Sequence, residues 1–142
     1  MNQTNVSRRF GRSVAAVCAG IVAAIAVTLI TDFLLHACGV FPPWGQRVPD
    51  SLLLLATAYR TIYGVGAGYL TARVAPYRPM RHAMVGGAFG FVAAAAGAAA
   101  TWNGGPAYEP HWYPLALIAL ALPQSWFGGW LRLLQVNARQ AS

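Results

Sequence analysis

The chain alternates between long apolar stretches and short polar ones rich in proline or glycine. Apolar residues dominate from 14 to 37, from 51 to 72, from 82 to 102 and from 112 to 134, with almost nothing ionisable inside. Each stretch holds the roughly 20 residues that a helix needs to cross about 30 Å of hydrocarbon. The breaks between them are poor helix formers. Gly39-Val40-Phe41-Pro42-Pro43-Trp44-Gly45 removes two backbone donors, Ala75-Pro76-Tyr77-Arg78-Pro79-Met80-Arg81 is a short basic turn, and Asn103-Gly104-Gly105-Pro106-Ala107-Tyr108-Glu109-Pro110 is turn chemistry. Asp50 or Ser51 is the expected N-cap of the second segment. Pro114 fits a first helical turn, whereas Pro123 interrupts the fourth segment, removing a bond to Ala119 and kinking it. The pattern predicts an all-α fold: one domain over residues 1–142, an integral membrane bundle of four transmembrane helices.

Composition sharpens this. The 142 residues are 57% hydrophobic and 9% charged, with mean hydropathy +0.48, outside the usual balance of a soluble domain. The formal charge is +7, and every basic residue is an arginine. A nucleic-acid surface would gather them on a polar face. Here they sit at the ends of apolar runs, where they set orientation and meet lipid headgroups, so no nucleic-acid partner is expected. With four spans, Arg8, Arg9, Arg12, Arg73, Arg78, Arg81, Arg132 and Arg139 share one side and Arg47 stands alone on the other. This bias predicts both termini in the cytoplasm. Trp44, Trp102, Trp112 and Tyr113 then form an outer aromatic belt, with Trp126 and Trp130 toward the inner one.

The start of the chain has competing readings. Arginines ahead of an apolar run resemble a secretory or twin-arginine signal, and Leu35-His36-Ala37-Cys38 loosely matches a lipoprotein cleavage box. The run is about 24 residues, however, against roughly 7–15 for a signal core. His36 and Asp32 also fit the box poorly, so the segment is expected to remain as a membrane helix. Cys18 and Cys38 lie about 30 Å apart along one helix and cannot pair within it. Without a CxxC motif or a Cys/His cluster, neither a redox role nor a metal is expected.

Two charges interrupt the first two segments, Asp32 and Arg60. Each costs roughly 2.5–3.5 kcal/mol at the centre of a membrane helix, so each needs a partner or a polar cavity. Counted from the ends nearest the first loop, Asp32 lies about 9 Å deep and Arg60 about 13 Å. That difference is within an arginine's reach. The short loop makes the two helices antiparallel neighbours and an Asp32–Arg60 ion pair natural, with Tyr59, Tyr63, Thr31 or His36 to satisfy remaining donors and acceptors. Arg60, Gly64 and Gly68 share an arc of about 80°, placing the arginine on a GxxxG face. Thr28, Asp32 and His36 form a polar stripe on the first helix, and Gly86, Gly90 and Ala94 a small-residue stripe on the third.

Two readings of the pair stand side by side. In one it only locks two helices in register. In the other, Asp32 and His36 form a proton- or ligand-binding site open to the outer side, with Arg60 tuning the carboxylate or holding an anion. His36 and His111 near the outer face raise haem ligation as a lesser alternative, ordinary interfacial histidines being the simpler reading. Pro123-Gln124 can open a carbonyl to a cavity or merely kink the helix. Arg73, Arg78 and Arg81, with His82, suit anionic headgroups as well as orientation. No paired-carboxylate, phosphate-loop or Ser/His/Asp constellation is present, so no enzyme and no cofactor is expected.

Residues 31–130 resemble an uncharacterised family of small bacterial four-helix inner-membrane proteins. The likeness rests on Thr31-Asp32-Phe33-Leu34-Leu35-His36, on Gly39 to Trp44, on Ala58-Tyr59-Arg60 through Thr71-Ala72-Arg73, on Met80-Arg81-His82-Ala83 and on His111-Trp112-Tyr113-Pro114. It implies an inner-membrane location and a four-helix plan, and no activity. The expectation is a non-catalytic membrane protein that self-associates or serves as an accessory subunit, its partners being the bilayer and a homo-oligomer or larger complex. The alternative is a small transporter or proton-linked conduit using Asp32, His36 and Arg60.

Overall fold

The computed structural model describes the backbone of residues 3–104 and 110–141 and the side chains of residues 10–104 and 110–141. Among the described residues all regular structure is helical, in the order α1 (Gln3–Ala37), α2 (Asp50–Val74), α3 (Pro79–Thr101) and α4 (Trp112–Gln140). The chain runs up and down a bundle. Asp32 on α1 meets Tyr59 and Arg60 on α2, and Gly20 meets Ala67 and Thr71, so these two helices are antiparallel. Likewise Gly87 faces Ser125 while Ala83 faces Gly129, which makes α3 and α4 antiparallel. The first and last helices therefore begin and end at the same end of the bundle. α2 and α3 each pack against all three others, whereas the backbones of α1 and α4 lie across the bundle from each other.

Helix boundaries differ from the hydropathy pattern in understandable ways. α1 starts at Gln3 rather than residue 14: no proline separates the polar start from the apolar run, and Ser13, a capping residue type just ahead of that run, lies inside the helix. α3 begins at Pro79, three residues early, since proline suits a first turn, and α4 continues past residue 134 to Gln140. α2 is not capped by Asp50 or Ser51. Its N-cap is Pro49, whose carbonyl accepts from the Leu52 and Leu53 amides, and Asp50 sits inside the first turn. Pro123 lies within a continuous α4, neighbouring turns carrying the helix past the missing donor. The middle of the predicted turn between α3 and α4, residues 105–109, lies outside the described residues.

The end of α1 is fixed by a Schellman motif. Gly39 takes φ 71°, its amide donates to the His36 carbonyl, and Val40 donates back to Leu35. The turn sends Phe41 into the bundle, where it is buried with Leu53, Ala56, Tyr59 and Tyr113. The first loop thus folds over one end of the bundle.

Three helical segments are long and apolar enough to cross a membrane: Phe10–Ala37, Pro79–Thr101 and Trp112–Gln140. α2 falls short of that composition, a correction to four equivalent spans. Arg60 and the tyrosines at 59, 63 and 69 dilute its apolar residues. Like α3, it packs against all three other helices. Large apolar side chains, among them Val22, Ile25, Leu29 and Phe33 on α1, remain on the outside. Only a membrane or another chain suits such a surface.

Helix approach depends on missing side chains. At Gly68 a Cβ would lie 2.7 Å from the Ser125 carbonyl, and one at Gly128 would strike the backbone of Val65 and Tyr69. α2 and α4 therefore touch main chain to main chain.

Candidate functional site

Asp32 sits where α1 and α2 cross near the loop end. Arg60 donates through Nη2 to Asp32 Oδ2 at 2.7 Å, and the Tyr59 hydroxyl donates to Oδ1. Consecutive residues of α2 thus hold both oxygens of one carboxylate. Beside Asp32, Thr31 donates to the Val27 carbonyl at 2.8 Å, so its hydroxyl oxygen accepts from Tyr63, one turn on from Tyr59, at 2.9 Å. The Asp32 and Arg60 side chains keep only 16% and 30% exposure. Arg60 also lies 5.7 Å from the centre of the Tyr113 ring, a cation–π contact that ties α4 to the pair. Its Nε is buried with no hydrogen-bond partner among the described residues.

His36 is near this carboxylate in sequence but does not bind it. Its Nδ1 lies 2.8 Å from the Asp32 main-chain carbonyl, and since a carbonyl only accepts, Nδ1 carries the proton. The ring stacks on Trp44 at 3.7 Å and 4°, and the edge of Phe41 meets it at 5.3 Å. His36 therefore anchors the first loop. Between loop and bundle is a cavity of about 320 Å³ reached by Asp32, His36, Trp44, Gln46, Arg60 and Tyr113. His111 is turned elsewhere, stacked on Trp102 at 4.2 Å with Nε2 3.1 Å from its carbonyl. Among the described residues no cluster of three or more histidine, cysteine or acidic side chains is placed to hold a metal.

The expected packing residues divide. Gly64 faces the Gln124 side chain and Gly68 the Ser125 backbone, both on α4. Gly86 makes only an ordinary approach to Thr71, and Gly90 faces open space. On α3 it is Gly87 that meets Ser125 closely, one position round the helix from the predicted stripe. Gly20, Gly128 and Gly129 make further close approaches that the sequence reading passed over. The adjacent glycines at 128 and 129 in an otherwise bulky stretch were the available signal. Tyr113 is another revision, being 3% exposed beneath Arg60 instead of standing in an interfacial belt. Trp44, by contrast, is 72% exposed.

Arg73, Arg78 and Arg81 lie at the opposite end of the bundle, all exposed. The acidic residues with described side chains, Asp32 and Asp50, are both near the loop end. Cys18 and Cys38 are unpaired.

Compared with protein-family models, with curated proteins and with solved structures, the chain finds no match.

Proposed function

We propose that the chain is a non-catalytic integral membrane protein that crosses the bacterial inner membrane four times, with both termini in the cytoplasm, and acts as a self-associating or accessory subunit. The observation that carries this reading is the occupancy of Asp32. Both its oxygens are engaged by donors from α2, and the nearby His36 is committed to the loop, so the acid and base close the bundle instead of standing ready for chemistry. α2 is less apolar than its neighbours, but Tyr59 and Arg60 are held against α1 and α4 while Leu54, Leu55 and Ile62 stand on its outer face, which keeps the arginine from lipid. The arginine bias sets the orientation. Gly64 and Gly68 are spent inside the chain, so close approach of another subunit falls to α3, where Gly97 faces open space.

The test is charge exchange. Asp32→Arg with Arg60→Asp restores folded protein, and any phenotype lost in the single variants, when the pair is a clamp. A second reading, a small conduit, draws support from the 320 Å³ cavity and the unpartnered Arg60 Nε beside it. Under that reading the exchanged protein folds but its phenotype stays lost.

A further inference from the structure

α1 and α3 are the loosest neighbours in the bundle, and the seam between them is hollow. At the terminal end a groove of about 530 Å³ is walled by Val17 and Ile21 from α1 and by Val85 and Phe89 from α3. Deeper in, a gap of about 320 Å³ is floored by small residues, Gly86 and Gly90 among them. Ile21 and Phe89 line both, so the two spaces meet. Arg78 and Arg81 stand at the mouth. Both are exposed, and Arg78 is held at φ 44°, a left-handed conformation that L-residues other than glycine rarely adopt. The described acidic side chains lie near the far end of the bundle, so no described carboxylate neutralises these guanidiniums.

We infer that the α1–α3 seam holds one anionic phospholipid, its phosphate on Arg78 and Arg81 and an acyl chain running between Val17 and Val85 toward Gly90. This rests on the membrane reading above. The chemistry matches along the whole path: paired cations at the mouth suit a phosphodiester, and an apolar channel ending in small side chains suits a flexible hydrocarbon chain better than a helix or a polar solute. Val17 to Gly90 belong to parallel segments, so the chain follows the helix axes as bilayer lipids do.

The experiment compares phosphatidylglycerol and phosphatidylcholine of identical acyl chains, added to the detergent-purified protein and read as bound adducts by native mass spectrometry. The expected result is a single adduct favouring phosphatidylglycerol, with Arg78→Asn and Arg81→Gln each lowering its affinity by about fivefold, the worth of one basic residue at an anionic lipid surface. Asparagine is chosen at 78 because it tolerates the left-handed backbone. Gly90→Leu, whose Cβ meets nothing within 4 Å, fills the chain path and lowers occupancy while leaving the mouth intact. Arg132→Gln, on α4 and away from the seam, leaves binding unchanged. The inference is overturned when Arg132→Gln weakens binding as much as the mouth variants, when Gly90→Leu has no effect, or when the two lipids bind alike. A Cys18–Cys18 cross-linked dimer without lipid also overturns it, because the seam is then an interface between copies. Arg81→Gln carries the charge test if Arg78→Asn misfolds. Release of the protein from membranes by alkaline carbonate defeats the membrane reading itself, an outcome separate from any lipid preference.

Discussion

Arg60 places Nη2 2.7 Å from Oδ2 of Asp32, while its chain neighbour Tyr59 takes the other oxygen. One acid thereby joins α1 to α2 twice, and the Tyr113 ring beneath the guanidinium extends the contact to α4. Removing either charge leaves the other in a poorly hydrated place. Asp32→Ala or Arg60→Ala is expected to cost about 2–3 kcal/mol, below the roughly 3–5 kcal/mol of a fully buried broken pair because both side chains keep some exposure. Unfolding in mixed detergent micelles measures it. The exchanged pair should regain most of the loss, and equal stability of both single variants and the parent would sink the clamp.

Tyr59 and Tyr63 are one turn apart on α2 and bond to adjacent residues of α1, but their acceptors differ. Tyr59 meets a carboxylate and Tyr63 a hydroxyl. Tyr59→Phe should therefore cost about 1.5–3 kcal/mol and Tyr63→Phe about 1 kcal/mol, the usual gap between charged and neutral hydrogen bonds. The same unfolding assay orders them, and a larger loss at 63 contradicts the geometry.

The sequence made some of this legible and left the rest hidden. Long apolar runs reveal helices because a bilayer-length stretch has few alternatives, and charges at similar depth in neighbouring helices, such as Asp32 and Arg60, reveal each other through the cost of leaving either alone. Partner choice among small residues is not legible in the same way. A glycine lacks a side chain wherever it points, so Gly64 and Gly68 do not announce that they face α4, and Gly86 and Gly87 differ only in an angle of about 100° round the helix. Tyr113 reads as interfacial because tyrosines so often are; only the tertiary position of Arg60 brings it inside. His36 shares a polar stripe with Asp32 and is one of several groups the sequence offers to the pair, yet its spacing serves a bond to the Asp32 main-chain carbonyl instead.

Glycine substitutions separate close contacts from open faces. Gly68→Leu and Gly128→Leu drive a side chain into the backbone of the facing helix and should leave no stably folded bundle. At Gly90 and Gly97 an added Cβ meets nothing within 4 Å, and in an exposed helix position Gly90→Leu and Gly97→Leu each gain up to about 1 kcal/mol of helix propensity. Circular dichroism with size-exclusion chromatography in detergent distinguishes the two pairs. If Gly97→Leu instead changes the oligomeric state while leaving helicity intact, α3 is the face that meets a second subunit.

The first loop offers a test that does not depend on global unfolding. Trp44 is 72% exposed, and its described ring contact is the stack on His36, whose Nδ1 is held by the Asp32 carbonyl. Arg47 follows shortly after in the exposed part of the loop, so trypsin cleavage there reports how often the loop lifts from the bundle. Removing the stack with Trp44→Ala costs about 1 kcal/mol of aromatic contact and should speed cleavage at Arg47 by about fivefold. His36→Ala should do the same, since the ring is one half of the stack, and the double variant should add little, because each substitution already abolishes the shared contact. Phe41 anchors the loop also by burial with Leu53 and Tyr113, so Phe41→Ala should add to Trp44→Ala, whereas its ring contact with His36 couples it to His36→Ala. Additive effects of the Trp44 and His36 substitutions would mean that the histidine holds the loop through something other than the tryptophan.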